Sequence, residues 1–309
     1  MGIESEQLVS VVIPTYNRAD LIGRTINSAL AQSWQDLEII VVDDASTDDT
    51  RAVVQAIPDP RVRYVGLEKN SGPSTARNTG VEQAKGRFIS FLDSDDEWRP
   101  EKTALQFTAL ARQTNPDNVV CYTQALIVQN DGTRLLPTRE KRADESVGDY
   151  VICGRHGLIH TSSLMLSRAL ALANPFPVGQ MIFEDWDLFL RLEEKGVQWL
   201  YLDEPLITWH NDAREGRLTS SKHDGSAWLD AHKHYLSKKA QQAFTLKGIV
   251  RPLMRARERK WYTLKSLVWA FPGSNMSIGE ALKQAIKIFI PPDLIKRAKA
   301  LSPGRSTRT

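Results

Sequence analysis

The stretch Phe88 to Asp96 has the sequence FISFLDSDD, an apolar run that ends in three carboxylates within four residues. The apolar part predicts a buried strand. Like charges at a strand end repel one another, and loss of water makes the repulsion stronger. A divalent cation would relieve it, because Mg²⁺ and Mn²⁺ prefer carboxylate oxygens and share them with substrate phosphates. Taken alone, the stretch is equally compatible with an acidic turn that caps the next helix.

Three further apolar runs precede this stretch and alternate with helical patterns. Leu8 to Ile13, Leu37 to Val42 and Arg61 to Val65 are the predicted strands. Alternation of strand and helix predicts an α/β fold with a mostly parallel sheet and helices on both faces. In such sheets, ligands bind at the carboxyl ends of the strands. Three polar clusters fall at these ends: Pro14 to Arg18, Asp43-Asp44 and Asp93 to Asp96.

The pattern changes from about Asn118 onward. We predict a long strand over Val119–Val128, a hairpin turn at Asn130–Gly132 and a polar mobile loop over Arg134–Asp149. A further strand over Leu158–Leu166 and a helix over Glu184–Lys195 follow, and then two short strands at Trp199–Leu202 and Leu206–Trp209. Beyond Gly225 the chain is predicted to be helical and basic. No internal repeat is visible.

Composition limits the class of protein. Charged residues make up 25% of the 309 residues, and the net charge is only +3. The two cysteines, Cys121 and Cys153, are far apart, which argues against a disulfide framework or a zinc cluster and favours a reducing compartment. Met1 to Gln7 is polar, and no apolar run reaches the ~20 residues that span a bilayer. We therefore expect a cytoplasmic protein without a membrane span.

Several polar residues at the predicted sheet edge have two interpretations each. A carboxylate of Asp43 or Asp44 could accept the imide N–H of a uracil ring, or could cap a helix. Tyr16 could stack on a base or pack the strand end. An arginine near a helix start opposes the helix dipole, so Arg77 needs a partner such as a base carbonyl, a phosphate, Asp44 or a simple salt bridge.

The later acidic and histidine residues are also ambiguous from the sequence. Glu184 and Asp185 open a predicted helix, where acidic residues are favoured for electrostatic reasons. The other interpretation is that a carboxylate placed there serves as a general base toward an acceptor hydroxyl. His210 follows a predicted strand and could bind a metal or a diphosphate, or simply end the strand.

Five segments in order carry a family resemblance. They are VSVVIPTYN at Val9–Asn17, IVVDDASTD at Ile40–Asp48, STARNTG at Ser74–Gly80, GRFISFLDSDD at Gly86–Asp96 and EDWDL at Glu184–Leu188. Together they closely resemble family 2 glycosyltransferases of the GT-A fold, over about residues 8 to 212. The resemblance implies a nucleotide-diphospho-sugar donor, usually a UDP-sugar, a divalent metal (Mn²⁺ or Mg²⁺) and inversion at the anomeric carbon.

The resemblance also implies roles for individual residues. The implied nucleotide-binding residues are Pro14, Tyr16, Asp44, Arg77, Asp93 and Ser94. Asp93 and Asp95 form the Asp-x-Asp motif, and the implied metal ligands are Asp95, Asp96 and His210. Asp185 is implied as the catalytic base, with Glu184 and Trp186 toward the acceptor. The chain has Thr208-Trp209-His210 where the family often has Arg-x-His.

The expected organisation is a GT-A domain over residues 1–225 and a basic helical extension over 226–309. Within the first, 8–117 is predicted to bind the nucleotide-sugar and 118–225 the acceptor. The extension interleaves apolar residues with basic ones, such as Arg255 to Lys260. Its helices could lie on an anionic membrane surface, placing the protein peripherally on the inner face. They could equally form a cap on the catalytic domain with a solvated basic face.

Other classes fit the sequence poorly. Pro14 to Arg18 contains no glycine, whereas a dinucleotide-binding dehydrogenase needs a glycine-rich turn after its first strand. P-loop NTPases and sugar nucleotidyltransferases need phosphate loops that are absent here. Nucleic-acid binding is not expected, because the catalytic half is not basic. The expected function is transfer of a sugar to a glycan or lipid-linked acceptor in surface polysaccharide biosynthesis. The alternative is a nucleotide-sugar-binding scaffold that has lost catalysis.

Overall fold

The computed structural model describes residues 7–154, 156–211, 225–273 and 276–290. The chain divides into two compact units, Met1–Thr219 and Ser220–Thr309. Each unit is described by itself below.

A nine-stranded sheet forms the centre of the first unit. Its strands are β1 (Val9–Thr15), β2 (Leu37–Asp43), β3 (Val62–Gly66), β4 (Phe88–Phe91), β5 (Glu97–Trp98), β6 (Val119–Gln129), β7 (Gly132–Leu136), β8 (Met165–Ser167) and β9 (Gln198–His210). The spatial order is β3-β2-β1-β4-β8-β6-β9-β5, and β7 pairs with β6. Strands β3, β2, β1 and β4 run parallel, and β6 and β9 also pair in parallel. The mostly parallel sheet predicted from the sequence is confirmed.

Helices cover both sides of this sheet. They are α1 (Ile22–Leu30), α2 (Thr50–Gln55), α3 (Pro73–Gln83), α4 (Lys102–Ala111), α5 (Arg168–Ala173) and α6 (Glu184–Glu194). Short 3₁₀ turns occur at Pro116–Asn118 and Thr161–Ser163, and a π-helical turn occurs at Asp149–Cys153.

Burial explains why the first strands are continuous apolar runs. All seven residues of β1 are buried, because neighbouring strands flank it and helices cover it. Helix α3 packs so closely on β1 that a side chain at Gly80 would overlap Val12. This close approach of backbone to sheet requires glycine at that position. It also brings the first two turns of α3, with Arg77, beside the carboxyl ends of β1 and β4.

Two strand expectations for residues 118–225 are wrong. Leu158 to Leu166 is not one strand, because the chain turns at Thr161–Ser163 and only Met165–Ser167 pairs with β4 and β6. The two short strands predicted after Trp199 form a single strand, β9. The register between β6 and β9 shifts over Thr123 to Ala125, where Pro205 lies opposite the β6 strand. Pro205 has no N–H to donate, and the shift accommodates it without ending the pairing.

The predicted hairpin at Asn130–Gly132 is confirmed, since β6 and β7 pair in antiparallel register there. The polar segment that follows is predicted to be a loop from Arg134, but the structure continues β7 to Leu136, so the first residues of the segment are a strand. Two bonds of 2.7 and 2.8 Å join Arg139 to Glu145, and the Tyr150 hydroxyl donates to the Arg139 carbonyl. These contacts give the segment a defined path next to the sheet.

The second unit is helical over the residues described. Its helices are α7 (Ser226–His232), α8 (Lys238–Phe244), α9 (Arg251–Ala256), α10 (Lys260–Ala270) and α11 (Ile278–Phe289). A π-helical segment, Thr245–Val250, joins α8 to α9 in one continuous helix. An apolar core forms around Leu246, Val250, Leu267, Ala270 and Ile288. Each helix in the described part of the chain is too short or too polar to cross a membrane.

Candidate functional site

The acidic turn after β4 is folded back on itself. The Asp96 N–H donates to the Asp93 carbonyl at 3.0 Å, which closes the turn. The Asp96 carbonyl accepts from the Thr25 hydroxyl at 2.9 Å, and the Asp95 carbonyl accepts from Arg24 at 2.8 Å. Helix α1 therefore fixes the backbone of the turn, and the carboxylate of Asp96 is fully buried.

Ser162 links this turn to the chain after residue 158. Its hydroxyl accepts the Asp93 N–H at 3.1 Å and donates to Asp96 Oδ2 at 2.7 Å. Its carbonyl accepts from the Trp98 indole at 2.8 Å. These three bonds require the 3₁₀ turn at Thr161–Ser163 and explain why the predicted strand is interrupted there.

A cluster of potential metal ligands forms on this framework. One ligand atom each from Asp93, Asp96 and His160 lies within 4.8 Å of the others. Burial raises the pKa of Asp96 well above its usual range, and the neighbouring charges of Asp93 and Asp95 raise it further. A buried carboxylate next to two others is an arrangement that a hard divalent cation stabilises. The residues present therefore fit the metal that the sequence predicted.

Two of the sequence-predicted metal ligands lie beside this cluster. The backbone N–H of His210 donates to Asp96 Oδ1 at 3.2 Å, whereas its ring Nε2 contacts Glu97 at 2.7 Å. Asp95 is partly exposed and contributes electrostatically to Asp96. The ligand atoms that the structure brings together are thus those of Asp93, Asp96 and His160.

Arg77 connects the acidic turn to the start of α6. Its guanidinium donates to Asp93 at 2.8 Å and to Glu184 at 3.0 Å, and its side chain is only 6% exposed. It also lies 5.1 Å from the centre of the Phe176 ring. Burial opposes the charge, but the two carboxylates outweigh burial and hold the pKa of Arg77 above its usual value. Of the partners considered from the sequence, the structure shows salt bridges, and the carboxylates in them are Asp93 and Glu184 rather than Asp44. Arg77 lies in the second turn of α3, not in the first.

The helix start at Glu184 places Asp185 in the same charged environment. Phe183 precedes it in a left-handed conformation, φ 61°, which is uncommon for a bulky residue. Its ring stacks on Trp186 at 5.2 Å. Burial raises the pKa of Asp185 to about 7; the charges of Glu184 and Asp93 add to this rise, while the Trp186 N–H and Arg77 oppose it. A carboxyl group with such a pKa can accept a proton near neutral pH.

The paired carboxylates after β2 are both engaged by the protein. Asp44 accepts the backbone N–H groups of Ser71 and Gly72, each at 2.7 Å. Asp43 accepts from the Tyr64 hydroxyl at 2.9 Å and from the Ser46 N–H at 2.9 Å. Gly72 has φ +87°, a conformation that favours glycine. Each carboxylate oxygen keeps a second lone pair, so these bonds leave Asp44 able to accept a further donor.

The residues after β1 lie at the same edge. Pro14 and Thr15 end the buried strand, and Tyr16 follows with 41% of its surface exposed. The Asn17 side chain accepts the Thr47 N–H at 2.8 Å, which ties this loop to the loop after β2. Ser94 is buried within the acidic turn. Most of the predicted nucleotide-binding residues thus fall at the adjacent carboxyl ends of β1, β2 and β4, whereas Arg77 lies on helix α3 beside them.

Sequence reasoning missed His160, Ser162 and Phe183. His160 fell inside the predicted strand Leu158–Leu166, and its partner Asp96 lies 64 positions away. The available signal was local: the polar run His160 to Ser163 interrupts an otherwise apolar strand pattern. That interruption indicates buried polar partners elsewhere in the chain.

Known proteins resemble this chain in sequence and in fold. Residues 10–171, just over half of the chain, match the family model described as "Glycosyl transferase family 2". The amylovoran biosynthesis glycosyltransferase AmsB of Erwinia amylovora is 31% identical over 261 residues, covering 79% of this chain and 83% of that protein.

A second relative matches over a shorter region. It is the UDP-Glc:alpha-D-GlcNAc-diphosphoundecaprenol beta-1,3-glucosyltransferase WfaP of Escherichia coli, 44% identical over 100 residues. The match covers 32% of this chain and 40% of that protein.

Among solved structures, S. aureus TarS in complex with UDP-GlcNAc is similar, with a TM-score of 0.60 and 22% sequence identity. The match covers 95% of this chain and 83% of that one. At this identity the likeness concerns the fold alone, and it agrees with the GT-A fold expected from the sequence.

Proposed function

We propose, from the premise that this chain belongs to glycosyl transferase family 2 and is a glycosyltransferase, that it moves a sugar from a nucleotide-diphospho-sugar to an acceptor hydroxyl with inversion. The observation that carries the proposal is the contact of one guanidinium, that of Arg77, with both Asp93 and Glu184. It joins the acidic turn and the start of α6, two motifs that are 91 positions apart, into one site.

The donor is proposed to be a UDP-sugar. In support, one relative is named for its use of UDP-Glc. The loops carrying Pro14, Tyr16 and Asp44 would hold the base, with the exposed Tyr16 ring available for stacking and Asp44 accepting the uracil N–H. Asp93 and Ser94 would lie toward the ribose and diphosphate. Arg77 would act on the nucleotide through Asp93, which it holds at 2.8 Å.

Asp185 is the proposed base. The acceptor oxygen attacks the anomeric carbon from the face opposite the diphosphate, forming one C–O bond as the bond to the phosphate oxygen breaks. Asp185 removes the proton from the attacking hydroxyl, for which its raised pKa is suited. Arg77 and Glu184 hold the helix start that carries Asp185, so part of the barrier is removed by positioning.

A divalent cation, Mn²⁺ or Mg²⁺, would neutralise the charge that grows on the leaving diphosphate. Asp93, Asp96 and His160 would hold it, because their ligand atoms converge within 4.8 Å of one another. Asp95 and His210, two of the three ligands that the resemblance implies, lie next to that cluster, and the third, Asp96, belongs to it. In this arrangement His210 supports Asp96 through its backbone N–H.

The proposed acceptor is a glycan or lipid-linked sugar in surface polysaccharide biosynthesis. The names of the relatives support this class, since they specify amylovoran biosynthesis and a diphosphoundecaprenol-linked sugar. The stacked rings of Phe183 and Trp186, next to Asp185, would offer an apolar face to an acceptor sugar. We place the reaction at the inner face of the membrane, where such acceptors meet nucleotide-sugars.

The test is UDP, GDP or dTDP release from a panel of nucleotide-sugars, with Mn²⁺ or Mg²⁺ and with EDTA as the control. Metal-dependent release from one donor, increased by an acceptor, is expected. Metal-dependent nucleotide binding without release from any donor and acceptor pair would instead favour the inactive scaffold. Absence of both binding and release would reject the assignment of the acidic turn.

A further inference from the structure

Charge is divided very unevenly along this chain. Residues 226–309 contain 17 Lys and Arg against 4 Asp and Glu, whereas residues 1–225 contain 23 against 33. The small net charge of +3 therefore hides a strongly basic C-terminal part and an acidic remainder. A basic segment of this size attracts anionic surfaces by long-range electrostatics.

One face of helix α11 is apolar and exposed. Ile278, Leu282, Ile286 and Phe289 recur every three or four residues, which places them on one side of the helix. Ile278 is 70% exposed, and the other three are also exposed. The core of the unit lies on a different side of α11, where Ile288 is buried. The exposed face is thus additional to the apolar surface that folding requires.

Helix α10 extends the same surface. Trp261, Val268 and Trp269 are exposed on it, with Trp261 at 71%, while Leu267 and Ala270 face the core. The rings of Trp261 and Phe289 lie 5.2 Å apart, so the exposed faces of the two helices are continuous. We call these seven residues of α10 and α11 the C-terminal apolar patch.

Lysines border the patch on both helices. Lys265 lies between Trp261 and Trp269 on α10, and Lys283 and Lys287 each follow an apolar patch residue on α11. All three are exposed. Long lysine side chains can keep their charge in the headgroup region while neighbouring apolar residues enter the lipid. Tryptophan is also favoured at that depth, because its ring is apolar and its N–H is polar.

We propose that the C-terminal apolar patch docks on an anionic lipid membrane surface. A helix with an apolar face, tryptophan and flanking lysines has the composition of an interfacial membrane helix. A second copy of the chain fits less well, because pairing two patches would bring two strongly basic segments together. An anionic bilayer instead satisfies both the apolar residues and the lysines.

The test is co-sedimentation of the full chain with vesicles of phosphatidylglycerol and phosphatidylcholine, compared with vesicles of phosphatidylcholine alone. Binding is expected to the anionic vesicles at low salt, with marked weakening at high salt. Leu282→Glu should lower the affinity by about tenfold or more, since one apolar contact is replaced by a charge. Leu172→Glu makes the same change at an exposed position of α5 and should leave binding unchanged.

A second variant covers the case in which Leu282→Glu fails to fold. Lys283→Gln with Lys287→Gln keeps the apolar face and should weaken binding to anionic vesicles by about tenfold. Circular dichroism checks the fold of each variant. Nucleotide release in solution with a soluble acceptor should match the wild type, so failure of the docking surface and failure of the glycosyltransferase assignment are separate results.

Two results would overturn the proposal. The first is the absence of wild-type binding to anionic vesicles at low salt. The second is a dimer in sedimentation velocity that Leu282→Glu converts to a monomer, with no effect of that change on vesicle binding. The second result would assign the patch to a second copy of the chain.

Discussion

Arg77 and Glu184 are 107 positions apart in the sequence and form an ion pair of 3.0 Å. The same guanidinium holds Asp93 at 2.8 Å. One buried cation therefore fixes three elements: helix α3, the turn after β4 and the start of α6. Because the charge of Arg77 is removed from water, both carboxylates are needed to compensate it. The arrangement makes the acidic turn and the proposed base structurally dependent on each other.

Arg77→Gln is expected to lower the free energy of unfolding by about 3–5 kcal/mol, the usual cost of removing one partner from a buried ion pair. Urea denaturation would measure it. Arg142→Gln is the control, since Arg142 pairs with Asp144 at 3.3 Å and both side chains are exposed, at 62% and 82%. The control should lose no more than about 1 kcal/mol. Equal losses in the two variants would show that Arg77 has no special structural role.

His160→Ala is expected to lower the affinity for Mn²⁺ by about tenfold or more, because the cluster loses one of its three ligand groups. His210→Ala should have a smaller effect, since its ring Nε2 contacts Glu97 and its backbone N–H, which the substitution keeps, donates to Asp96. Titration of Mn²⁺ in the presence of UDP, followed by electron paramagnetic resonance, would measure both affinities. A larger loss in His210→Ala than in His160→Ala would favour the ligand set expected from the sequence.

The rate of transfer is expected to fall as the pH drops below about 7. Burial raises the pKa of Asp185 to about 7, with Glu184 and Asp93 adding to the rise. The group accepts a proton only when it is ionised, so the ionised fraction and the rate decrease together by about tenfold per pH unit on the acid side. The pH profile of kcat/KM measures this, with UDP affinity followed in parallel. A profile that stays flat through neutral pH would contradict the assignment.

The main strands were predictable because each is buried along its whole length. In β1 and β4 every residue is buried, so the sequence is apolar without interruption and ends where the polar loops begin. The parallel arrangement followed from the intervening helical patterns. For the same reason, the carboxyl-end position of Asp44 and Asp93 was predictable without coordinates.

The contacts inside the site were not predictable in the same way. The turn at Thr161–Ser163 depends on a bond from Ser162 to Asp96, 66 positions away. The partners of Arg77 were left open by the sequence, because a buried guanidinium at that edge could face a ligand or a carboxylate. The close packing of α3 on β1, permitted by Gly80, helps to place Arg77 between Asp93 and Glu184.

The central claim is that Asp185 accepts the proton of the acceptor hydroxyl in sugar transfer. The most direct test is the transfer rate of Asp185→Asn beside its UDP affinity, with Asp187→Asn, a buried position on the same helix, as the control. The account predicts that Asp185→Asn binds UDP as the wild type does and transfers about 10²–10⁴-fold more slowly, while Asp187→Asn keeps most of its activity. Transfer by Asp185→Asn at the wild-type rate would contradict it.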